Sequence, residues 1–170
     1  MPSYQVRPAV DGDADQVAAV HASSSHAAYE SIAPGAAPLP IEKRRAFWRD
    51  AIEYAEPLLH VAFDAGRMAG FVGFDRSRDP KSKATTGEIW ALYVEPSLWG
   101  TGAGLALWDA AREGLIEEGC TEVTLWIPLA NERALRFFEL AGFKREINTA
   151  KTALISGVKL EEIRLRRSLD

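Results

Sequence analysis

The sequence predicts an α/β (α+β) fold in a single domain over residues 1–170: a mixed sheet of about seven strands flanked by helices. Three observations predict it. Short apolar or alternating runs bounded by turn residues recur along the chain, interleaved with segments of helical period. Their order is βααββ, then βαβ, then αββ, which suits a mixed sheet with helices on its faces. The length of 170 residues is that of one domain, and no composition shift marks a linker.

"YQVRPAV" opens with a strand over 4–8. "DGDADQVAAVHAS" sets Asp at a capping position and clusters Val17, Ala18, Val20 and His21 on one side, a helix. "SIAPGAAPLP" is punctuated by prolines and reads as a loop. "IEKRRAFWRDAIEYA" is a second helix with Ile41, Phe47, Trp48 and Ile52 turned inward and "KRR" (43–45) on the solvent face. "LLHVAFD" (58–64) and "MAGFVGFD" (68–75) form a hairpin about "AGR". "RSRDPKSKATT" reads as a mobile charged loop, and "GEIWALYV" (87–94) as the next strand.

A helix over 102–118 follows, with Leu105, Trp108, Ala111 and Leu115 on one face and Gly119 as its stop. "TEVTLWIP" (121–128) is a strand, and "NERALRFFELAG" (131–142) is a helix capped by Asn131 and stopped by Gly142. The rest reads as two strands joined near Ser156 and Gly157.

Composition narrows the function. A net charge of −4 lacks the basic footprint of a nucleic-acid binder. The single cysteine, Cys120, has no internal disulfide partner, and no Cys/His spacing suits a metal. No apolar run has the length of a membrane span, and "MPSYQVRPAV" has no signal-peptide core, so a cytoplasmic location is expected.

The informative stretch is "YVEPSLWGTGAGLALWDAA". It runs from a strand through Pro96 into Gly100, Gly102 and Gly104, and then into a helix. The first N–H groups of a helix lack intrahelical acceptors and carry partial positive charge. Glycine removes the β-carbons that would hold a phosphate off, so the arrangement suits a pyrophosphate. A P-loop would need Lys and Ser/Thr after its last glycine, where Leu105 and Ala106 stand. A dinucleotide fingerprint needs G-x-G-x-x-G, and this chain has G-x-G-x-G.

"VEPSLWGTGAGLAL" resembles the cofactor-binding segment of the GNAT superfamily of acyl-CoA N-acyltransferases, Gln/Arg-x-x-Gly-x-Gly/Ala after a strand ending Val-x-Pro. Gly102 and Gly104 stand at the glycine positions, and Trp99 stands where the family has Gln or Arg. "NERALRFFELAGF" is similar to the family's downstream Asn-x-x-Ala … Gly-Phe segment, and "AAYESIAPG" to its variable substrate-facing end.

The resemblance implies a mostly antiparallel sheet whose strands at 87–94 and 121–127 splay apart. It implies acetyl-CoA as acyl donor, its pantetheine arm paired with main chain at Leu92, Tyr93 and Val94. The pyrophosphate would lie on the segment Trp99, Gly100, Thr101, Gly102, Ala103, Gly104 and Leu105, with Asn131, Ala134 and Phe138 also against the donor. The implied reaction is direct acetyl transfer to an amine, on a small molecule or a protein, and the family leaves room for a homodimer. Phe138 stands where many members carry a tyrosine acid, which leaves the thiolate to depart unassisted, to take a proton from water, or to use Tyr93 or Tyr29 instead. It also leaves open a module that binds acyl-CoA without turnover.

For the base, Glu88 is the candidate. Alternation puts Glu88, Trp90, Leu92 and Val94 on one face, where a carboxylate either faces a cleft or stands at the strand end in solvent. Trp90 and Trp126 would line the acceptor pocket or the core. His21, His26 and His60 read as surface or core histidines, and Cys120 as structural.

Overall fold

In the computed structural model, residues 3–35, 40–155 and 157–170 are described. The strands are β1 (Gln5–Pro8), β2 (Leu58–Asp64), β3 (Arg67–Arg76), β4 (Thr86–Val94), β5 (Glu122–Pro128), β6 (Lys144–Ile155) and β7 (Val158–Ser168). The helices are α1 (Ala14–Tyr29), α2 (Ile41–Tyr54), α3 (Ala103–Glu117) and α4 (Glu132–Leu140). One sheet runs β1-β2-β3-β4-β5-β7-β6. Every neighbouring pair is antiparallel except β4 and β5, which run parallel and are joined by the α3 crossover.

Each face has its own core. Leu107, Trp108, Ala111 and Leu115 of α3, with Leu135 and Phe138 of α4, pack on Phe74, Ile89, Val123, Leu125, Ile127 and Leu165. On the other face, Val17, Ala18 and Val20 of α1 and Trp48 and Ala51 of α2 pack on Leu59, Val61 and Phe71. That second layer covers β2 to β4. On β5 and β7 the same face carries Thr124, Trp126, Glu162 and Arg164, because the alternate residues Val123, Leu125, Ile127, Ile163 and Leu165 are taken by the α3/α4 core.

Several expectations need correction. α1 runs past 23 to Tyr29, because the serine hydroxyls turn back on the helix: Ser23 and Ser24 both donate to the Val20 carbonyl, at 3.3 and 2.6 Å. Asp13 precedes α1 but reaches backward, accepting from Val10 N–H at 2.8 Å while Arg7 grips it at 2.8 and 3.1 Å. Phe47 is exposed on α2, and the buried stripe there is Arg44, Trp48 and Ala51, so Arg44 leaves the solvated "KRR" face. Leu105 is 52% exposed, at the edge of a stripe centred on Leu107, Trp108, Ala111 and Leu115. The loop after β3 is pinned rather than free: Ser77 N–H donates to Thr86, Arg78 pairs with Glu88, and Asp79 meets Trp126 and Arg164. Residues 36–39 of the expected loop "SIAPGAAPLP", and Ser156 of the expected β6–β7 join, lie outside the described residues.

Candidate active site

Parallel β4 and β5 pair at Thr86–Glu122, Gly87–Val123 and Glu88–Thr124. Beyond Glu88 no further partners join them among the described residues, although β4 runs on to Val94 and β5 to Pro128. A wedge therefore opens between them, with main-chain groups of β4 on one wall. Glu95 N–H donates to Ala69 at 2.8 Å, and Tyr93 lies opposite Phe71. The alternation of antiparallel hydrogen bonds then turns the Tyr93 main chain toward β3 and those of Leu92 and Val94 toward the wedge. The Val94 carbonyl already accepts from Trp99 Nε1 at 2.8 Å.

A bulge interrupts β4. Gly73 faces Ala91 and Phe74 faces Ile89, so Trp90 is the extra residue. This overturns the face predicted for Glu88. Ile89, Leu92 and Val94 all reach the α3/α4 core, while Ala91 and Tyr93 pack with α1 and α2. Glu88 pairs with Thr124 and lies on the α1/α2 face, opposite Leu92 and Val94. It is 2% exposed. Arg78 holds it through its main-chain N–H at 2.8 Å and its guanidinium at 2.6 Å, and that guanidinium also lies over the Trp90 ring at 4.0 Å. Trp126 donates to Asp79 at 3.0 Å and carries Lys151 over its ring at 4.1 Å, so both tryptophans border the α1/α2 side of the wedge rather than the core.

At the tip of β4 the chain turns through Pro96–Leu98 into the glycine segment. Gly100 and Gly102 have φ of +78° and +96°, a conformation that side chains resist. A β-carbon at either would find nothing within 4 Å, so the space beside this backbone is open. Gly104 has a different reason: its β-carbon would stand 3.1 Å from the Phe137 ring, so this glycine lets α3 approach α4. Ala103, Gly104 and Leu105 form the first turn of α3, whose N–H groups have no intrahelical acceptors. Thr101 is already engaged: its N–H and hydroxyl both turn to Leu98 O, and Tyr4 bonds the same hydroxyl.

On the opposite wall, Asn131 caps α4 by accepting from Ala134 N–H at 3.2 Å. Phe138 is 6% exposed, packed edge-to-face with Phe137 and Phe143 at 5.0 and 5.3 Å. The Tyr29 phenol stands beside the Asn131 side chain, within the field of Tyr93 and Glu162, and burial pushes its pKa up. Burial likewise raises the Tyr93 phenol, against the pull of Ser25 and Arg44. It also raises the Glu162 carboxyl, opposed by Lys151 and supported by Asp79.

Three residues here escaped the sequence reading. Arg133 lies over the Trp99 ring. Glu162 stands at the wedge mouth, and its place could have been read only by knowing that β7 inserts beside β5. Arg44 was hidden in a charged triplet, although its i, i+4 spacing to Trp48 was a usable signal. His60 and Cys120 are remote from the wedge: His60 packs on Phe74 from β2, and Cys120 is buried behind α3 with its thiol pKa raised by that burial. Among the described residues, no His/Cys/Asp/Glu group is arranged to hold a metal ion, and no helix is long and apolar enough to cross a membrane.

Residues 25–143 match the family model described as "Acetyltransferase (GNAT) family". A mycothiol acetyltransferase from Propionibacterium freudenreichii is 32% identical over 133 residues, covering 78% of this chain and 40% of that protein. The chain thus spans well under half of the curated relatives it matches. Among solved structures, an N-acetyltransferase from Staphylococcus aureus Mu50 superposes with a TM-score of 0.76 at 19% identity, over 99% of both chains. A structure of a Salmonella typhimurium acetyltransferase, described with its cofactor acetyl-CoA, superposes at 0.75 and 18% identity, covering 99% of this chain and 95% of that one. Both structural likenesses are likenesses of fold.

Proposed function

The chain belongs to the acetyltransferase (GNAT) family, and from that premise we propose that it transfers an acetyl group from acetyl-CoA directly to an amine. The observation that carries the reading is the parting of β4 and β5 just past the Glu88–Thr124 pair, beside a glycine turn that ends in a helix N-terminus.

The residues present fit a thioester donor with a diphosphate. Gly100 and Gly102 leave open space, and Gly102, Ala103, Gly104 and Leu105 offer main-chain N–H groups toward an anion. Leu92 and Val94 offer main-chain groups to an extended amide-bearing arm in the wedge. Ala134 and Phe138 form its apolar wall. The donor supplies an activated acyl carbonyl. The chain's own work is to orient the amine and handle its proton.

Glu88 is the proposed base. It faces the α1/α2 side, and Arg78 fixes its carboxylate in place. It takes a proton from the attacking ammonium directly or through a water. Phe138 has no proton to give. Tyr29 and Tyr93, with raised pKa values, stay protonated and can donate hydrogen bonds but are poor proton sources. The leaving thiolate therefore collects its proton from solvent.

The test is Leu105→Glu. The position is exposed in the first turn of α3, where a carboxylate favours the helix by about 0.3–1 kcal/mol. The same charge repels a diphosphate. The variant should fold at least as well as the parent and bind acetyl-CoA at least ~10-fold more weakly, a change of about 1.4 kcal/mol. Unchanged affinity by calorimetry would remove the glycine turn as the donor site. Thiol release across an amine panel then separates transfer from binding alone.

A further inference from the structure

Arg44 is 6% exposed on the buried stripe of α2. Its Nε and Nη1 are buried with no hydrogen-bond partner among the described residues. Arginine cannot shed its charge inside a protein, so a buried guanidinium without a partner is costly to keep. Among the described residues, no carboxylate offsets it. The titratable groups in its field are the Tyr93 phenol from β4 and His21 from α1, and His21 is held neutral. Its neighbour Arg45 has turned outward to Asp15 at 3.6 Å.

The surroundings lead from Arg44 to the wedge. Tyr93 stacks on His21 at 4.8 Å between ring centroids and lies within the field of Arg44. Tyr29 stands beside Asn131, within the field of Tyr93 and Glu162. Tyr93, Tyr29 and Ser25 each keep part of their surface open. The border between the α1/α2 layer and the bare half of the sheet thus has one buried cation at its inner end. Toward its outer end stand Glu88 and Asp79, already paired with Arg78 and Arg164, and Glu162, on the face where the acceptor amine would stand.

We propose that the acceptor is an amino-acid-like zwitterion, whose carboxylate is received by Arg44 and Tyr93 so that its ammonium turns toward the wedge. This rests on the acetyl-transfer reading and names its substrate class. A purely cationic amine would meet the carboxylates but leave Arg44 buried and unpaired. A planar guanidinium with two idle donors matches a carboxylate, and the phenol adds a third donor.

The experiment pairs each of several L-amino acids with its decarboxylated amine: phenylalanine with phenethylamine, histidine with histamine, leucine with isoamylamine. Thiol release is measured with acetyl-CoA, alongside calorimetric binding of acetyl-CoA. The amino acids should turn over with kcat/KM at least ~10-fold above their decarboxylated partners, the increment of a charge-assisted hydrogen bond. Arg44→Met keeps the stem and removes the charge. It should raise KM for the amino acids about 10- to 100-fold, leave acetyl-CoA affinity unchanged and keep or raise the melting temperature. Arg44→Lys should recover part of the loss. Equal or better turnover of the decarboxylated amines overturns the proposal, as does Arg44→Met with the amino-acid preference intact. Bound acetyl-CoA with every amino acid inert overturns it while sparing the donor site. No binding of acetyl-CoA overturns the transfer reading itself, and the acceptor assignment with it.

Discussion

The guanidinium of Arg133 lies 3.8 Å from the centroid of the Trp99 ring. Trp99 stands where the family segment has Gln or Arg, and Arg133 belongs to the first turn of α4, across the wedge. The cation missing from the loop is thus brought beside it from another helix, held on an aromatic platform. Arg133→Met should weaken acetyl-CoA binding about 5- to 10-fold, with the deficit shrinking as salt rises. Trp99→Leu should reproduce part of that loss by releasing Arg133. Calorimetry at low and high salt checks both. Equal affinities at low salt would show that the stacked pair is only a brace between loop and helix.

Phe138 is predicted to act through packing and not as a proton donor. Its ring meets Phe137 and Phe143 edge-on in the core under α3. Phe138→Ala should cost about 3–5 kcal/mol of stability, and its activity loss should follow the unfolded fraction. Phe138→Tyr keeps the ring and should fold and keep turnover. Denaturant melts run beside thiol-release rates separate the two effects. A fully folded Phe138→Leu variant with no turnover would contradict a packing role.

The element order was legible because alternation, helical period and glycine stops are local signals, and the strand bounds at β2 and α4's Asn131 cap follow from them directly. The faces of β4 were not. A bulge at Trp90 inverts every assignment beyond it, and a bulge is set by how Gly73 and Phe74 pair with their neighbour, which periodicity along one strand does not encode. Gly104 shows a similar limit. It reads as one of three phosphate glycines, yet its own constraint is the Phe137 ring, a contact between two helices separated in the chain by β5. Arg44 was misread because composition marks an arginine as exposed, and only the stripe shared with Trp48 and Ala51 turns it inward.

Glu88→Gln keeps the volume and removes the proton acceptor. Arg78 is 53% exposed on its side chain, so it can turn to water when its partner is neutralised, and the fold should survive. The rate at neutral pH should fall by about 10²–10⁴-fold, the range of a general base. The deficit should narrow at high pH, where the amine arrives already deprotonated. Acetyl-CoA affinity should not change, since Glu88 lies on the face opposite Leu92 and Val94. A pH–rate profile with a surrogate amine decides it: parallel profiles for parent and variant would leave water as the proton sink.

The pH dependence of stability should be set largely by His21. Its Nδ1 accepts from Trp48 Nε1–H at 3.1 Å, so the ring is neutral there. Burial, with the Arg44 charge adding to it, lowers its pKa from 6.5 to about 4. The unfolded chain therefore binds a proton between pH 4 and 6.5 that the folded chain refuses. Stability rises with pH across that window and is fully present above 6.5, by up to about 3 kcal/mol for one such group. Asp13, depressed by its bonds to Arg7, acts in a separate range: its contribution is lost only as pH falls below its ordinary value of 3.8. Glu162 opposes the trend, because a raised carboxyl pKa favours the folded state below that pKa and loses this advantage as pH rises. His21→Phe isolates the histidine. It leaves the Trp48 N–H without its acceptor and should be less stable at pH 7, yet its stability should change less between pH 6.5 and 4 than the parent's. Urea melts at half-unit intervals across that window supply the comparison, and equal slopes for the two proteins would remove His21 as the source.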